Sequence, residues 1–382
     1  MLASAGLSGL AHGTVLSVSV LAVAAGMGLN ALDVVEIEPT DAGVVAIVEL
    51  ALIFTLFSDG MIVERELLVG HRGPTARALV IAMPVTAALI GLAAKLAFGE
   101  LSWAEAFLLG AVLAPTDPVI TSSVVGAKAL PAKLRHTLNL ESGLNDGLAL
   151  PFVLVLIVVA SGEGSAGGEA GLLLGEALAG LLIGAVIAMV ANGLIDHLPG
   201  GGITAKYKGV YALGIGLAAF GLAESTIGNG LVATFAAGIT TALVERKAIN
   251  AFREFNESLS VVLQTVTLFI FGSLVVGSGV PSPAVAAIGL AAFVLFVARP
   301  IAILGALSGS DMPPIQRRFV AWFGPKGVAS MLFALFVLKS DVPEAGLIFQ
   351  IASLVILASV LAHGLTDTLG ARWMDRRLSR SG

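Results

Sequence analysis

Two short stretches of this chain place carboxylates where a bilayer-spanning segment would otherwise hold only hydrocarbon. Ala114-Pro-Thr-Asp-Pro-Val119 sets Asp117 between Pro115 and Pro118, and Glu141-Ser-Gly-Leu-Asn-Asp-Gly147 sets Asp146 in the apolar run from Leu138 to Val159. Proline lacks the amide proton and clashes with the preceding turn, so a helix carrying both prolines must break near Asp117. A break frees carbonyls and amides at membrane depth, which is tolerated only where they line a polar cavity or are buried in protein. An ionised side chain at the bilayer centre costs about 2.5–3.5 kcal/mol on insertion scales, so two neighbouring acids need a purpose. An ion site is the purpose their chemistry suits.

Read as a helix, the segment from Glu141 to Gly147 puts Ser142 and Asp146 on one face and Glu141 and Asn145 on the adjoining stripe. Asp117, Asp146, Ser142 and Thr116 offer only oxygen, the ligand that hard monovalent cations take. Burial disfavours the charged form of a carboxylate, so such a group can take a proton when a cation leaves it. Asp117 and Asp146 are therefore the expected carboxylates for a transported monovalent cation. Glu49, in mid-run between Val44 and Phe57, is expected as a third carboxylate of the site. Glu141 is expected to pair with Lys326 of Phe323-Gly-Pro-Lys-Gly327; a fold-holding ion pair with no part in transport is the alternative. Asp59 in Phe57-Ser-Asp-Gly60 reads as a helix-end residue. Arg299, just before Pro300, needs an acid that the sequence does not identify, and His363 reads as structural rather than a proton relay.

These residues lie in a chain of 382 residues, 57% hydrophobic and 12% charged, with mean hydropathy +0.97. A soluble globular domain carries about 25% charged residues, so the composition is that of an all-α polytopic membrane protein. With no cysteine, disulfides and thiolate metal sites are excluded. The basic residues are scattered through short loops without interleaved aromatics, so no nucleic-acid partner is expected. No signal peptide is expected in residues 1–13.

A spanning helix needs about 20 mostly apolar residues. Twelve such runs are legible, at approximately 12–30, 41–58, 75–98, 102–126, 137–160, 170–195, 207–224, 228–244, 258–277, 282–304, 318–338 and 345–369. After the even-numbered runs come 17 lysines and arginines, from Arg65 and Arg72 to Arg377 and Arg380; after the odd-numbered runs comes only Lys339. Basic residues stay on the cytoplasmic side, so both termini are expected there. Ser161 to Gly168 reads as a flexible external loop, and the short basic stretch after Leu369 as an interfacial anchor. The whole of 1–382 is expected to be one membrane transport domain, without a soluble regulatory domain.

With these motifs in hand, the chain resembles the monovalent cation/proton antiporters of the NhaP-like sodium/proton exchanger branch. The resemblance runs nearly end to end, through Phe57-Ser-Asp-Gly60, Ala114-Pro-Thr-Asp-Pro118, Glu141-Ser-Gly-Leu-Asn-Asp-Gly147, Asn229-Gly230, Phe323-Gly-Pro-Lys-Gly327 and His363-Gly-Leu365. It implies about twelve transmembrane helices in inverted repeats, with broken helices crossing near the membrane midplane. It also implies a homodimer in the cell membrane, in which an ion-binding bundle (about 75–160 and 282–369) moves against dimerisation helices drawn from the remainder. Asp146 would alternate between cation and proton, with Asp117, Thr116 and Ser142 around it. Asn145 in place of a second aspartate resembles the electroneutral branch, exchanging one Na⁺, or Li⁺ or K⁺, for one H⁺. The family often has arginine where this chain has Lys326. The resemblance places the second broken helix in 345–369, which no proline marks. It implies no cofactor and no enzymatic step.

Two other functions fit parts of this pattern. A potassium/proton efflux system shares the chemistry, though the gated kind carries a cytoplasmic nucleotide-binding domain. An intramembrane aspartyl protease also needs two aspartates on adjacent helices, but its Gly-x-Gly-Asp signature would need glycine where Asn145 stands.

Overall fold

The structure, a computed structural model, describes residues 18–35, 37–39, 41–62, 72–117, 130–162, 166–197, 203–244 and 249–378. Pro118 and the second half of the fourth run, part of the Ser161–Gly168 loop, and the basic tail past Leu378 lie outside the described residues.

Among the described residues, each of the twelve apolar runs contains helix. These are α1 (Val18–Ala31), α2 (Ala42–Ile62), α3 (72–97), α4 (Trp103–Leu113), α5 (Ala132–Ser161), α6 (Ala166–His197), α7 (Ala205–Glu224), α8 (Gly230–Val244), α9 (Ile249–Ser278), α10 (284–306), α11a (Pro314–Trp322) with α11b (Val328–Lys339), and α12 (Ala345–Leu378). No strand occurs among the described residues. Seven of these helices are long and apolar enough to cross a membrane; α1, α4, α8 and α11b are apolar but shorter.

Local sequence explains the irregularities. α3 and α10 each contain one π-helical turn, Ala78–Ala82 and Val294–Ala298. Each turn lies just ahead of a proline, Pro84 or Pro300. Proline cannot donate to the carbonyl four residues back and crowds it, and one extra residue in the turn absorbs that conflict. α4 starts on a capping box, in which Ser102 accepts from the Glu105 amide and the Glu105 carboxylate accepts from the Ser102 amide. A second Glu105 oxygen accepts from the amide of Glu344, joining the starts of α4 and α12.

The family resemblance placed a second broken helix in 345–369, and the structure corrects this. α12 is an unbroken helix of 34 residues, about 50 Å long at 1.5 Å per residue. The second break falls at Phe323–Gly327, between α11a and α11b. Its physical cause is in the sequence: Pro325 supplies no amide proton, and glycines flank it at 324 and 327, whereas 345–369 has no proline.

The helices associate through small residues, as expected where lipid is as apolar as the side chains. α2 crosses α8 with backbones in contact: a Cβ on Gly60 would strike the Phe235 carbonyl, and one on Gly238 would strike the Phe57 carbonyl. Gly26 and Gly272 make the same reciprocal contact between α1 and α9. We expect Gly238→Ala to destabilise the protein by about 1–3 kcal/mol, the usual cost of overpacking. Gly289→Ala, on a part of α10 where an added Cβ meets nothing, is the matched control. Thermal unfolding in detergent is the measurement, and equal midpoints for the two variants would contradict the close-approach reading.

Candidate ion site at two crossed helix breaks

α4 ends at Leu113, and the chain continues through Ala114, Pro115, Thr116 and Asp117 without helical structure. The stretch between α11a and α11b runs across it. The Asp117 amide donates to the Pro325 carbonyl at 2.9 Å, and Asp117 Oδ2 accepts from the Val328 amide at 3.0 Å. The Asp117 carboxylate therefore sits at the N-terminus of α11b, where unpaired amides and the helix dipole favour negative charge. Gly327 is required by this approach, since a Cβ there would run into the Asp117 carboxylate.

The Lys326 ammonium is buried in the crossing and donates to the carbonyls of Ala114 and Pro115, at 3.0 and 3.2 Å. It thus satisfies carbonyls that the Pro115 break releases. Glu141 is not its hydrogen-bonding partner, contrary to the pairing expected from the sequence. Arg299 of α10 holds Glu141 with both arms, Nη1 to Oε1 at 2.8 Å and Nη2 to Oε2 at 3.0 Å. Arg299 Nη2 also reaches the Val320 and Phe323 carbonyls at 3.3 and 3.4 Å, so the same guanidinium steadies the end of α11a. The planar fork of arginine fits a carboxylate two-pronged, which an ammonium cannot do. A lone arginine inside an apolar run was the available signal, because such a cation demands an acid.

α5 presents Glu141, Ser142, Asn145 and Asp146, all buried. Asn145 Nδ2 donates to Thr116 Oγ1 at 2.7 Å, and Thr116 Oγ1 lies 3.4 Å from Ser142 Oγ. Asn145 thereby ties the helix to the α4 break. Asn145 Oδ1, Asp146 Oδ1 and Asp59 Oδ2 are buried acceptors with no hydrogen-bond partner among the described residues.

Asp59 is the residue that sequence reasoning missed. α2 is described to Ile62, which places Asp59 in the last described turn of the helix, as its helix-end reading expects. It is buried and close enough to Asp146 and Asp117 for their charges to act on one another. The signal was its register: Thr55 and Asp59, four apart, share a helix face, and both are buried. Glu49, expected as the third carboxylate, is half-buried and lies ten residues upstream of Asp59 on α2, about 15 Å along the helix. The three aspartates do not close into a cage, since no three acidic or imidazole side chains group as a metal site among the described residues. The arrangement supplies separated oxygens around Asp146, of the kind a transiently held monovalent ion meets.

Removing one partner from a buried ion pair strands a charge, at a cost of about 3–5 kcal/mol. Arg299→Met should therefore lower the unfolding midpoint sharply, and the double variant Arg299→Met/Glu141→Leu should recover most of the loss. Lys326→Met combined with Glu141→Leu should show no such recovery. A double-mutant cycle of thermal stability measures this, and recovery in the lysine pair instead would reverse the assignment.

A model of the family described as sodium/hydrogen exchanger, transmembrane, matches residues 1–369. The chain is 26% identical over 335 residues to the K⁺/H⁺ antiporter NhaP of Alkalimonas amylolytica, covering 85% of this chain and 56% of that protein. It is 30% identical over 300 residues to a protein of Mycobacterium bovis named an uncharacterized Na⁺/H⁺ exchanger, covering 70% of this chain and 54% of that one. The chain thus spans about half the length of the curated relatives it matches. Its fold is similar to the solved sodium proton antiporter MjNhaP1 of Methanocaldococcus jannaschii at pH 8, with TM-score 0.79, 18% identity, and coverage of 95% of this chain and 96% of that one.

Proposed function

The chain belongs to the transmembrane sodium/hydrogen exchanger family, and from that premise we propose that it exchanges Na⁺ for H⁺ across the cell membrane at Asp146. The observation that carries the reading is the Asp146 carboxylate oxygen, buried beside the crossing and without a hydrogen-bond partner among the described residues. Asp117 is committed to the Val328 amide and the start of α11b. Asp146 has an oxygen free to hold either a cation or a proton. The charges of Asp146, Asp117 and Asp59 act on one another, and the Lys326 ammonium acts on Asp146. Three ionised acids against one ammonium would leave two negative charges in excess, which a bound cation or proton reduces.

In the proposed cycle, Asp146 releases a proton and takes a partly dehydrated cation with Asp117, Thr116 and Ser142. The site then opens to the other side, the cation leaves and Asp146 is reprotonated. One carboxylate cannot hold both ions, so exchange is obligatory and one for one. Asn145, with its amide fixed on Thr116, adds no second titrating charge, which supports electroneutrality. We place both termini in the cytoplasm, on the asymmetry of lysine and arginine along the loops. The moving bundle is taken to be about 75–160 and 282–369, and the remaining helices to form a homodimer. A K⁺/H⁺ antiporter is the second reading, favoured by the relative that carries that name.

The test is proton flux into proteoliposomes loaded with a pH dye, started by NaCl or KCl separately. Asp146→Asn should abolish flux with the fold intact, and Asp117→Asn should weaken cation binding. Flux retained in Asp146→Asn would remove Asp146 from its role. With a single shared carboxylate, the apparent cation constant should rise as pH falls, approaching about tenfold per pH unit on the acid side. A constant indifferent to pH would contradict competition. Flux undiminished when potassium and valinomycin clamp the voltage would establish electroneutrality.

A further inference from the structure

At the α11 break the Trp322 carbonyl accepts from the Gly324 amide at 2.9 Å, and the Lys326 amide ahead of α11b turns to a side chain. One turn of α12 reaches both groups. The Lys326 amide donates to Ser359 Oγ at 2.7 Å. His363 Nδ1 lies 3.1 Å from Ser359 Oγ and 2.9 Å from the Ser359 carbonyl, and His363 Nε2 lies 3.0 Å from the Trp322 carbonyl. Ser359 is fully buried and His363 nearly so. The Trp322 ring lies against the imidazole, with centroids 5.1 Å apart, and Trp322 Nε1 donates to Thr366 Oγ1 one turn on.

A carbonyl can only accept, so a proton on Nε2 is what joins the ring to Trp322. Nδ1 faces two groups of Ser359: it donates to the carbonyl when protonated and accepts from the hydroxyl when not. In either form Ser359 and His363 bridge residues 323–325, with the Lys326 amide on one side and the Trp322 carbonyl on the other.

We propose that His363 and Ser359 are positioning residues for exchange, splinting the α11 break through an imidazole that carries a proton on Nε2. Neither touches the ion. They fix the Lys326 backbone, and Lys326 is what places an ammonium on the Ala114 and Pro115 carbonyls. Two residues on, the Val328 amide holds the Asp117 carboxylate. The part of the inference that concerns rate rests on the exchange reading; the hydrogen-bond assignment does not.

Glutamine offers the test. Its amide nitrogen can donate to the Trp322 carbonyl and its amide oxygen can accept from Ser359, so it mimics both ring functions, whereas leucine fills the space and makes neither bond. Three variants, His363→Gln, His363→Leu and Ser359→Ala, are compared at equal expression and elution. His363→Gln should exchange within about twofold of the parent, while His363→Leu should lose about tenfold, the scale of one buried hydrogen bond left unmade. Equal rates for the Gln and Leu variants overturn the proposal. If His363→Leu fails to fold, Ser359→Ala decides, because it removes only the hydroxyl: a loss of about fivefold or more supports the splint and an unchanged rate refutes it.

A second readout stands apart from transport. ¹⁵N spectra of histidine-labelled protein in lipid contain five histidines, and His363 is assigned by difference from His363→Gln. A proton on Nε2 near pH 7 is expected. A ring without a proton on Nε2 overturns the assignment whether or not the chain exchanges cations. Absence of flux in the parent protein would instead count against the exchange reading and leave the spectra to judge the splint.

Discussion

A helix that breaks inside hydrocarbon must find a partner for every amide and carbonyl it releases, and the architecture around Asp117 and Pro325 is a solution to that constraint. An unmet backbone group at that depth costs several kcal/mol. Two breaks are set against each other, so that part of each one's need meets the other's. The Asp117 amide meets the Pro325 carbonyl and the Asp117 carboxylate meets the Val328 amide. Lys326 from one break satisfies two carbonyls of the other. Arg299 reaches Val320 and Phe323, while α12 serves Trp322 and Lys326. Among the described side chains here, Asp146 Oδ1, Asn145 Oδ1, Asp59 Oδ2, Arg299 Nε and Ser330 Oγ are left without a partner. The proposed exchange would hold its ion at the unmet carboxylate oxygens.

The charges divide along the same line. Glu141 and Arg299 neutralise each other through a two-pronged pair that anchors α5 to α10 and, through the Phe323 carbonyl, to the break. Lys326 is spent partly on carbonyls. The aspartates share what remains of its field, and only Asp117 among them is held by a helix N-terminus. One group of charges therefore carries structure and the other remains able to change partners. This explains why one buried acid can serve as a fixed strut while another, five residues along the same helix, is suited to exchange.

The composition, the twelve apolar runs and the break at Pro115 were legible because each is a local property: hydropathy over twenty residues, or a ring that cannot donate. The face shared by Ser142 and Asp146 followed from helical period alone, as did the stripe of Glu141 and Asn145. Errors came where one helix had to choose a partner on another. Glu141 had two candidate cations, and Lys326 looked nearer in character until Arg299 proved to have the matching fork and the right place on α10. Glu49 and Asp59 lie on one helix, and only the packing of α2 against its neighbours decides that the second is the more deeply buried. The break assigned to 345–369 by resemblance lies at Pro325, where proline and glycine had marked it.

The sequence by itself determined that this chain crosses a membrane many times, that it breaks at Pro115, and that Asp117 and Asp146 sit at depth among oxygens. Those follow from covalent chemistry and short-range periodicity, which do not depend on where other helices go. Only the tertiary structure decided that two breaks cross, that Arg299 takes Glu141, that Lys326 caps carbonyls, and that Asp59 is buried while Glu49 is half-buried. It also decided that Ser359 and His363 close the gap in α11. These are contacts across 33 to 212 positions of chain, and a polar side chain in hydrocarbon takes whichever partner the packing brings within 3 Å. No local rule ranks such partners, because the energy that selects them belongs to the assembled bundle.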